Sequence, residues 1–294
     1  MLKRSVAASA RTVTLQEAAS ELGLHYMTVY RYVRTGKLPA TQDGLIWRVR
    51  LRDVTALKAG RTSGMRSRSR RRHGSHTTRA LEARLLAGDG AGAWWLIESR
   101  LGGGLDPAGV VTTLLSPALR SIGLRWADGD LSVADEHRAT AVAQRLIGRL
   151  GLDFGRPGRS RGLVIVAAPE GDLHTLPVAM VADLLRWRGF DVAELGANTP
   201  VEALSEVAAG ADRLVAVGVA STTSGHDDEV EATLRSLRAA ADGVPIILGG
   251  SAVRSATHAR KLGADLWTGR DGRNVVEAVE GLVQGRETAG LAYE

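Results

Sequence analysis

Between residues 161 and 285, apolar blocks alternate with amphipathic stretches: GLVIVAA, DVAEL, RLVAVGV, PIILGG and ADLWTG, each followed by a segment of helical character. Five such strand-and-helix units predict a parallel sheet of flavodoxin-like (Rossmann-type) α/β fold, with ligands beyond the carboxyl ends of the strands. From 79 to 150 the rhythm is different. Residues 79–86, 91–101, 107–125 and 133–150 carry helical periodicity between glycine-rich turns, which predicts a four-helix bundle in which Trp94 and Trp95 read as packing. The first unit, 12–60, combines both patterns. Leu15, Ala18, Ala19 and Leu22 recur at helical spacing behind a Thr14–Glu17 capping box, Gly23 ends that helix, and residues 25–33 resume the period. An Asp43-Gly44 turn followed by alternating Trp47, Val49 and Leu51 then predicts a β-hairpin wing, and another helix begins at Asp53.

The pattern therefore divides the 294 residues into a winged helix-turn-helix (12–60), a linker (61–78), a helical bundle (79–150) and an α/β domain (161–285), a multidomain chain. Composition sharpens this picture in three places. The chain has no cysteine, which excludes disulfides, thiolate metal sites and a cysteine nucleophile. The runs 162–169 and 214–220 are far shorter than the roughly 20 residues of a membrane span, and MLKRSVAASA lacks the apolar core of a signal peptide, so a cytoplasmic location is expected. Charge is segregated: residues 1–80 hold 17 Lys and Arg against 4 Asp and Glu, and the rest hold 21 against 28. A basic front on an acidic body points to a polyanion partner at the front, and six arginines between Arg61 and Arg72 make the linker a tether able to touch phosphates.

The stretch LQEAASELGLHYMTVYRYVRTGKLPA, with its hairpin and following helix, resembles the small winged helix-turn-helix module of the MerR and excisionase superfamily. That resemblance implies double-stranded DNA as partner. It places Tyr26, Thr28, Arg31 and Arg34 on the helix that enters the major groove, and Arg48 and Arg50 on a wing that holds the backbone.

After the first strand of the α/β domain comes Pro169-Glu170-Gly171-Asp172-Leu173-His174-Thr175-Leu176-Pro177. A histidine at the ligand edge, with a carboxylate two residues earlier to take its other ring proton, is a metal-ligand arrangement. One histidine does not hold a free divalent ion, so the metal would have to arrive inside a cofactor with an open axial position, and cobalamin meets that requirement. The loop, Ser221 after the third strand, and Gly249-Gly250 after the fourth resemble the three marks of cobalamin-binding domains. The resemblance implies His174 as lower axial ligand of cobalt, oriented by Asp172. It sets Ser221 and Thr223 beside the buried nucleotide tail, and it makes the paired glycines the source of room for that tail. Two positions depart from the family pattern: Pro177 stands for its glycine and Thr223 for its leucine.

In the bundle, Trp126 followed after nine residues by Glu136-His137 is similar to the helical cap of light-sensing cobalamin regulators of the CarH/LitR type. There the tryptophan lies over the corrin and the Glu-His pair borders an adenosyl group, which implies adenosylcobalamin. The histidine that follows the tryptophan in some members is Ala127 here. The order of parts implies a light-responsive transcriptional repressor, not an enzyme, acting as a dimer or tetramer whose assembly or DNA affinity follows the upper axial ligand. The rival readings are a corrinoid methyl carrier and a regulator that has kept the scaffold without the cofactor.

Overall fold

The computed structural model describes residues 11–24, 26–34, 37–43, 46–64, 76–155, 158–270 and 274–291. By internal packing the chain divides into two units, one of residues 1–89 with 117–141 and one of 90–116 with 142–294.

The first unit begins with a three-stranded antiparallel sheet, β1 (Thr12–Thr14), β2 (Ala40–Asp43) and β3 (Ile46–Arg50), in the order β1-β3-β2. Strand β1 has no counterpart in the sequence reading. It is too short for a periodic signal and forms because Val13 pairs with Val49 and enters the core. Helix α1 (Leu15–Leu22) starts at the Thr14 capping box, where the Glu17 amide donates to the Thr14 hydroxyl at 3.3 Å and the Thr14 amide donates to the Glu17 carboxylate at 2.8 Å. It stops at Gly23, whose φ of +61 is the left-handed conformation that spares a side chain. Helix α2 (Tyr26–Arg34) follows, and Leu15, Ala18, Leu22, Val29, Tyr32, Val49 and Val54 pack a single core between helices and sheet. Helix α3 runs over Leu51–Gly64, so Leu51 opens a helix where the alternation had suggested strand, and the first residues of the expected linker are helical. Most of the arginine-rich segment, 65–75, lies outside the described residues.

The helical region contains α4 (His76–Ala87), α5 (Gly90–Gly102), α6 (Pro107–Val110), α7 (Ser116–Asp128) and α8 (Val133–Gly151). A π-helical turn, Val111–Leu115, makes α6 and α7 one continuous run, so the four predicted helices are present with their ends moved by a few residues. In the first unit a Ser132–Asp135 capping box starts α8 and an Arg125–Glu82 ion pair ties α7 to α4. In the second unit the Arg149 guanidinium lies 3.8 Å from the centre of the Trp94 ring. Trp95 is 64% exposed, so the expectation that both tryptophans pack inside fails for this one.

The second unit is built on five parallel strands: β4 (Leu163–Pro169), β5 (Asp191–Thr199), β6 (Leu214–Ala220), β7 (Ile246–Gly249) and β8 (Leu266–Trp267). Their order, β5-β4-β6-β7-β8, is the flavodoxin-like arrangement, with the switch point between β4 and β6. Helices α9 (Thr175–Trp187), α10 (Val201–Ala209), α11 (Asp227–Ala240), α12 (Ala256–Lys261) and α13 (Val275–Leu291) cover it. Strand β4 shows why its sequence is apolar throughout: Ile165 and Ala167 face a core with Leu204, Val230 and Leu234, and Val164, Val166 and Ala168 face another with Val178, Leu185 and Val279.

Candidate functional site

At the carboxyl end of β4 the chain turns through Gly171 (φ +83) and reaches Asp172 and His174 before α9 starts. His174 is the residue preceding that helix, and Pro177 falls in its first turn, where a missing amide proton costs no hydrogen bond. The Asp172 carboxylate is buried and accepts on both oxygens. Oδ1 takes the His174 ring Nδ1 at 2.7 Å, the His174 amide at 3.2 Å and the Thr223 hydroxyl at 3.2 Å. Oδ2 takes the Thr222 amide and, at 3.0 Å, the Thr223 amide. Burial pushes this carboxyl upward, but the hydrogen bonds from His174, Thr222 and Thr223 and the charge of His174 outweigh it and hold the group below its ordinary value.

An ionised carboxylate can only accept, so it fixes His174 with its proton on Nδ1 and its lone pair on Nε2. The ring is 51% exposed, and among the described residues Nε2 has no partner. The described residues contain no cluster of three or more His, Cys, Asp or Glu able to hold a bare ion. One oriented, open nitrogen fits a metal whose other ligands come with it, as in a corrinoid. Leu173, exposed beside His174, adds apolar surface at this edge that the sequence reading did not single out.

Ser221, Thr223, Gly249 and Gly250 come to the same edge, and the glycines there have a packing role within the chain. A Cβ on Gly250, whose φ is +107, would fall on the Ser221 carbonyl oxygen and lie 2.9 Å from the Ser221 nitrogen. One on Gly249 would lie 2.7 Å from the Thr268 hydroxyl. The glycines therefore let the β7 turn close on the β6 loop, where the Ser221 amide donates to the Gly249 carbonyl at 2.9 Å. Thr223 is placed on the Asp172–His174 pair.

Trp126, Glu136 and His137 belong to the other unit. Trp126 is half-buried on α7. Glu136, in the first turn of α8, accepts from the Thr140 hydroxyl at 2.6 Å and meets His137 Nδ1 at 2.9 Å, with His137 74% exposed.

In the helix-turn-helix, Tyr26 is exposed at the start of α2 and stacks on Tyr30 with ring centres 6.4 Å apart; Thr28 is half-buried. The side chains of Arg31 and Arg34 lie outside the described residues. Arg48 is on the central strand of the small sheet, and Arg50 pairs with Asp53 at 3.0 Å. That exposed pair is weak enough to open for a phosphate.

A helix-turn-helix domain model matches residues 12–62, and two B12 binding domain models match residues 78–150 and 162–280. The HTH-type transcriptional repressor CarH of Myxococcus xanthus is 34% identical over 152 residues, 51% of this chain and 50% of that protein. The chain thus spans about half the length of that curated relative. Trimethylamine corrinoid protein 1 of Methanosarcina acetivorans is 26% identical over 196 residues, 63% of this chain and 87% of that protein. The solved monomethylamine corrinoid protein of Methanosarcina barkeri superposes with a TM-score of 0.60 at 19% identity, covering 68% of this chain and 96% of that one, a likeness of fold. No helix among the described residues is long and apolar enough to cross a membrane. Between them the two B12 binding domain matches span most of the chain behind its helix-turn-helix: the chain joins a helix-turn-helix domain to B12 binding domains and is similar to the CarH repressor over half its length.

Proposed function

We propose that the protein is a DNA-binding transcriptional regulator, not an enzyme, whose DNA affinity or oligomeric state is set by adenosylcobalamin and by light. The observation that carries this reading is the oriented His174, with its open Nε2, in the same chain as a basic helix-turn-helix. The corrinoid would supply a cobalt with an exchangeable upper ligand and, in its alkyl form, a bond that light breaks. On the protein side, Asp172 orients His174, whose Nε2 lone pair would hold the metal. Trp126, Glu136 and His137 are the residues assigned to sensing the exchangeable group. A ligand biases a two-state protein only through contacts that differ between the states, and a hundredfold bias requires about 2.7 kcal/mol. The Trp-x9-Glu-His spacing supports assigning that discrimination to these three residues. With Ala127 in place of a second capturing histidine, the lit protein is expected to lose or rehydrate its cofactor.

The test is DNA binding and size exclusion on the full chain with adenosyl-, methyl- and hydroxocobalamin, in darkness and after illumination. Adenosylcobalamin in darkness should give a distinct assembly or affinity, and light should convert it to the hydroxocobalamin behaviour. Identical behaviour in all conditions refutes the proposal. The chain covers 87% of a corrinoid protein named for trimethylamine, which favours a methyl carrier as second reading. Methyl transfer to or from the bound corrinoid, with no effect of cobalamin on DNA binding, would establish that alternative.

A further inference from the structure

We propose that Asn198 is a positioning residue for the cobalt-binding histidine: it fixes the Gly171–Asp172 backbone from strand β5, so that the Asp172 carboxylate meets His174 in one orientation. The inference rests on the corrinoid reading above and adds to it a residue from a different strand.

Strand β5 is irregular where it passes the site. Along β4 the pairing runs from Val166 with Glu194 to Ala167 with Gly196, and then to Pro169 with Thr199. Twice, therefore, β5 uses one residue more than its partner. Such bulges bend a strand and re-aim its side chains, and they collect next to functional sites. Gly196 (φ +80) absorbs one of these steps. The other falls at Asn198, whose φ of +54 is left-handed, a conformation that asparagine tolerates better than most residues with a side chain. What the chain obtains for this strain is a double grip on the neighbouring loop. The Asn198 amide donates to the Asp172 carbonyl at 2.8 Å, and Asn198 Oδ1 accepts the Gly171 amide at 2.8 Å.

Gly171 is also held from the other side. A Cβ there would lie 2.9 Å from the His226 ring, so the turn is seated against the β6–α11 connection. The Asp172 side chain is anchored to that same connection through the Thr222 and Thr223 amides. Asp172 is thus tied by its backbone to β5 and by its carboxylate to the loop after β6, the strands on either side of β4. Among the described residues the histidine ring that depends on it has, besides Asp172, only a long contact between its Nδ1 and the Thr223 hydroxyl at 3.4 Å. Deleting the Asn198 side chain removes the Gly171 half of the grip from β5 and loosens the loop backbone that sets the carboxylate against Nδ1.

The experiment uses the full chain with nitrogen-15-labelled histidine, first without cobalamin, at about pH 8, where imidazole is neutral. His174 is assigned by its loss in His174→Ala. In the wild type its ring shifts should report the proton on Nδ1. Asn198→Gly keeps the left-handed backbone and the amide bond to Asp172 but deletes Oδ1; its His174 signal should move toward the Nε2-protonated form that free imidazole favours. Its affinity for hydroxocobalamin should fall about tenfold, the lower end of what loss of an outer partner costs a metal site. Asn198→Asp keeps an acceptor for Gly171 and should restore both, which loss of general stability would not. Wild-type tautomer and affinity in Asn198→Gly overturn the proposal. A wild type that holds its proton on Nδ1 yet takes up no cobalamin overturns the corrinoid reading instead, and the cobalamin-free tautomer still decides the role of Asn198.

Discussion

At the scale of single residues, His174 and Asp172 act as one group. His174→Ala should remove the spectral signature of histidine-ligated cobalamin. Asp172→Asn should keep the ring but weaken cobalamin binding about 10-fold to 100-fold, because the amide no longer enforces a proton on Nδ1. Titration of the cofactor spectrum checks both, and unchanged spectra would remove these residues from the ligand. Gly250 has a different role. Its φ of +107 and its contact with the Ser221 backbone leave no place for a methyl group, so Gly250→Ala should cost about 3 kcal/mol in denaturant unfolding, the strain of a forbidden backbone plus displacement of a neighbouring loop. A near-neutral effect would mean that the two loops separate easily and that the site is softer than described.

At the scale of elements, the end of helix α8 meets α9 over a buried carboxyl. Asp183 lies beside Gly151 and pairs with Arg186 at 3.1 Å, and Arg186 also reaches Glu194 at 3.0 Å. Burial is the largest influence on Asp183 and outweighs the attraction of Arg186, with Glu194 adding to it, so the carboxyl is raised from 3.8 to about 6. The folded protein therefore binds this proton more tightly than the unfolded chain. The associated stability is full below the unfolded value and is lost as pH rises through about 6, an amount on the order of 3 kcal/mol. Unfolding measured between about pH 4 and 7 should show that decline, superimposed on other titrations. Asp183→Asn should flatten it and leave the protein more stable at neutral pH, since Arg186 keeps Glu194. An unaltered slope in the variant would assign the effect to another group.

At the scale of the whole molecule, the two kinds of binding should be separable by mutation. Arg31→Ala or Arg48→Ala should weaken DNA binding and reduce the slope of log affinity against log salt by roughly one per lost phosphate contact, with cobalamin uptake intact. An unchanged isotherm across salt would remove both from the interface. Trp126→Ala should do the reverse: DNA binding persists, but its difference between adenosyl- and hydroxocobalamin disappears. A variant that still distinguishes the two forms would move the recognition of the upper ligand elsewhere.

The sequence by itself determined the architecture and half of the site. Apolar blocks of strand length, helical periodicity from 79 to 150, and the Thr14 and Gly23 caps are local signals, and the elements they mark form there with ends moved by a few residues. The Asp172-x-His174 pair was legible for the same reason, because two residues so close on one loop lie within reach of each other, even though distant partners fix their orientation. What only the tertiary structure decided involves partners distant along the chain. Strand β1 exists because β3 supplies its hydrogen bonds, and Gly249 and Gly250 are required by the close approach of Thr268 and Ser221. Thr223, about 50 residues from the histidine, is drawn onto its carboxylate by sheet order. Asn198 is a neighbour of Asp172 only because β5 pairs with β4 and bulges twice before it arrives. Periodicity records which face of an element is buried; it carries no record of register shifts or of which loop ends meet, since those are settled by long-range packing.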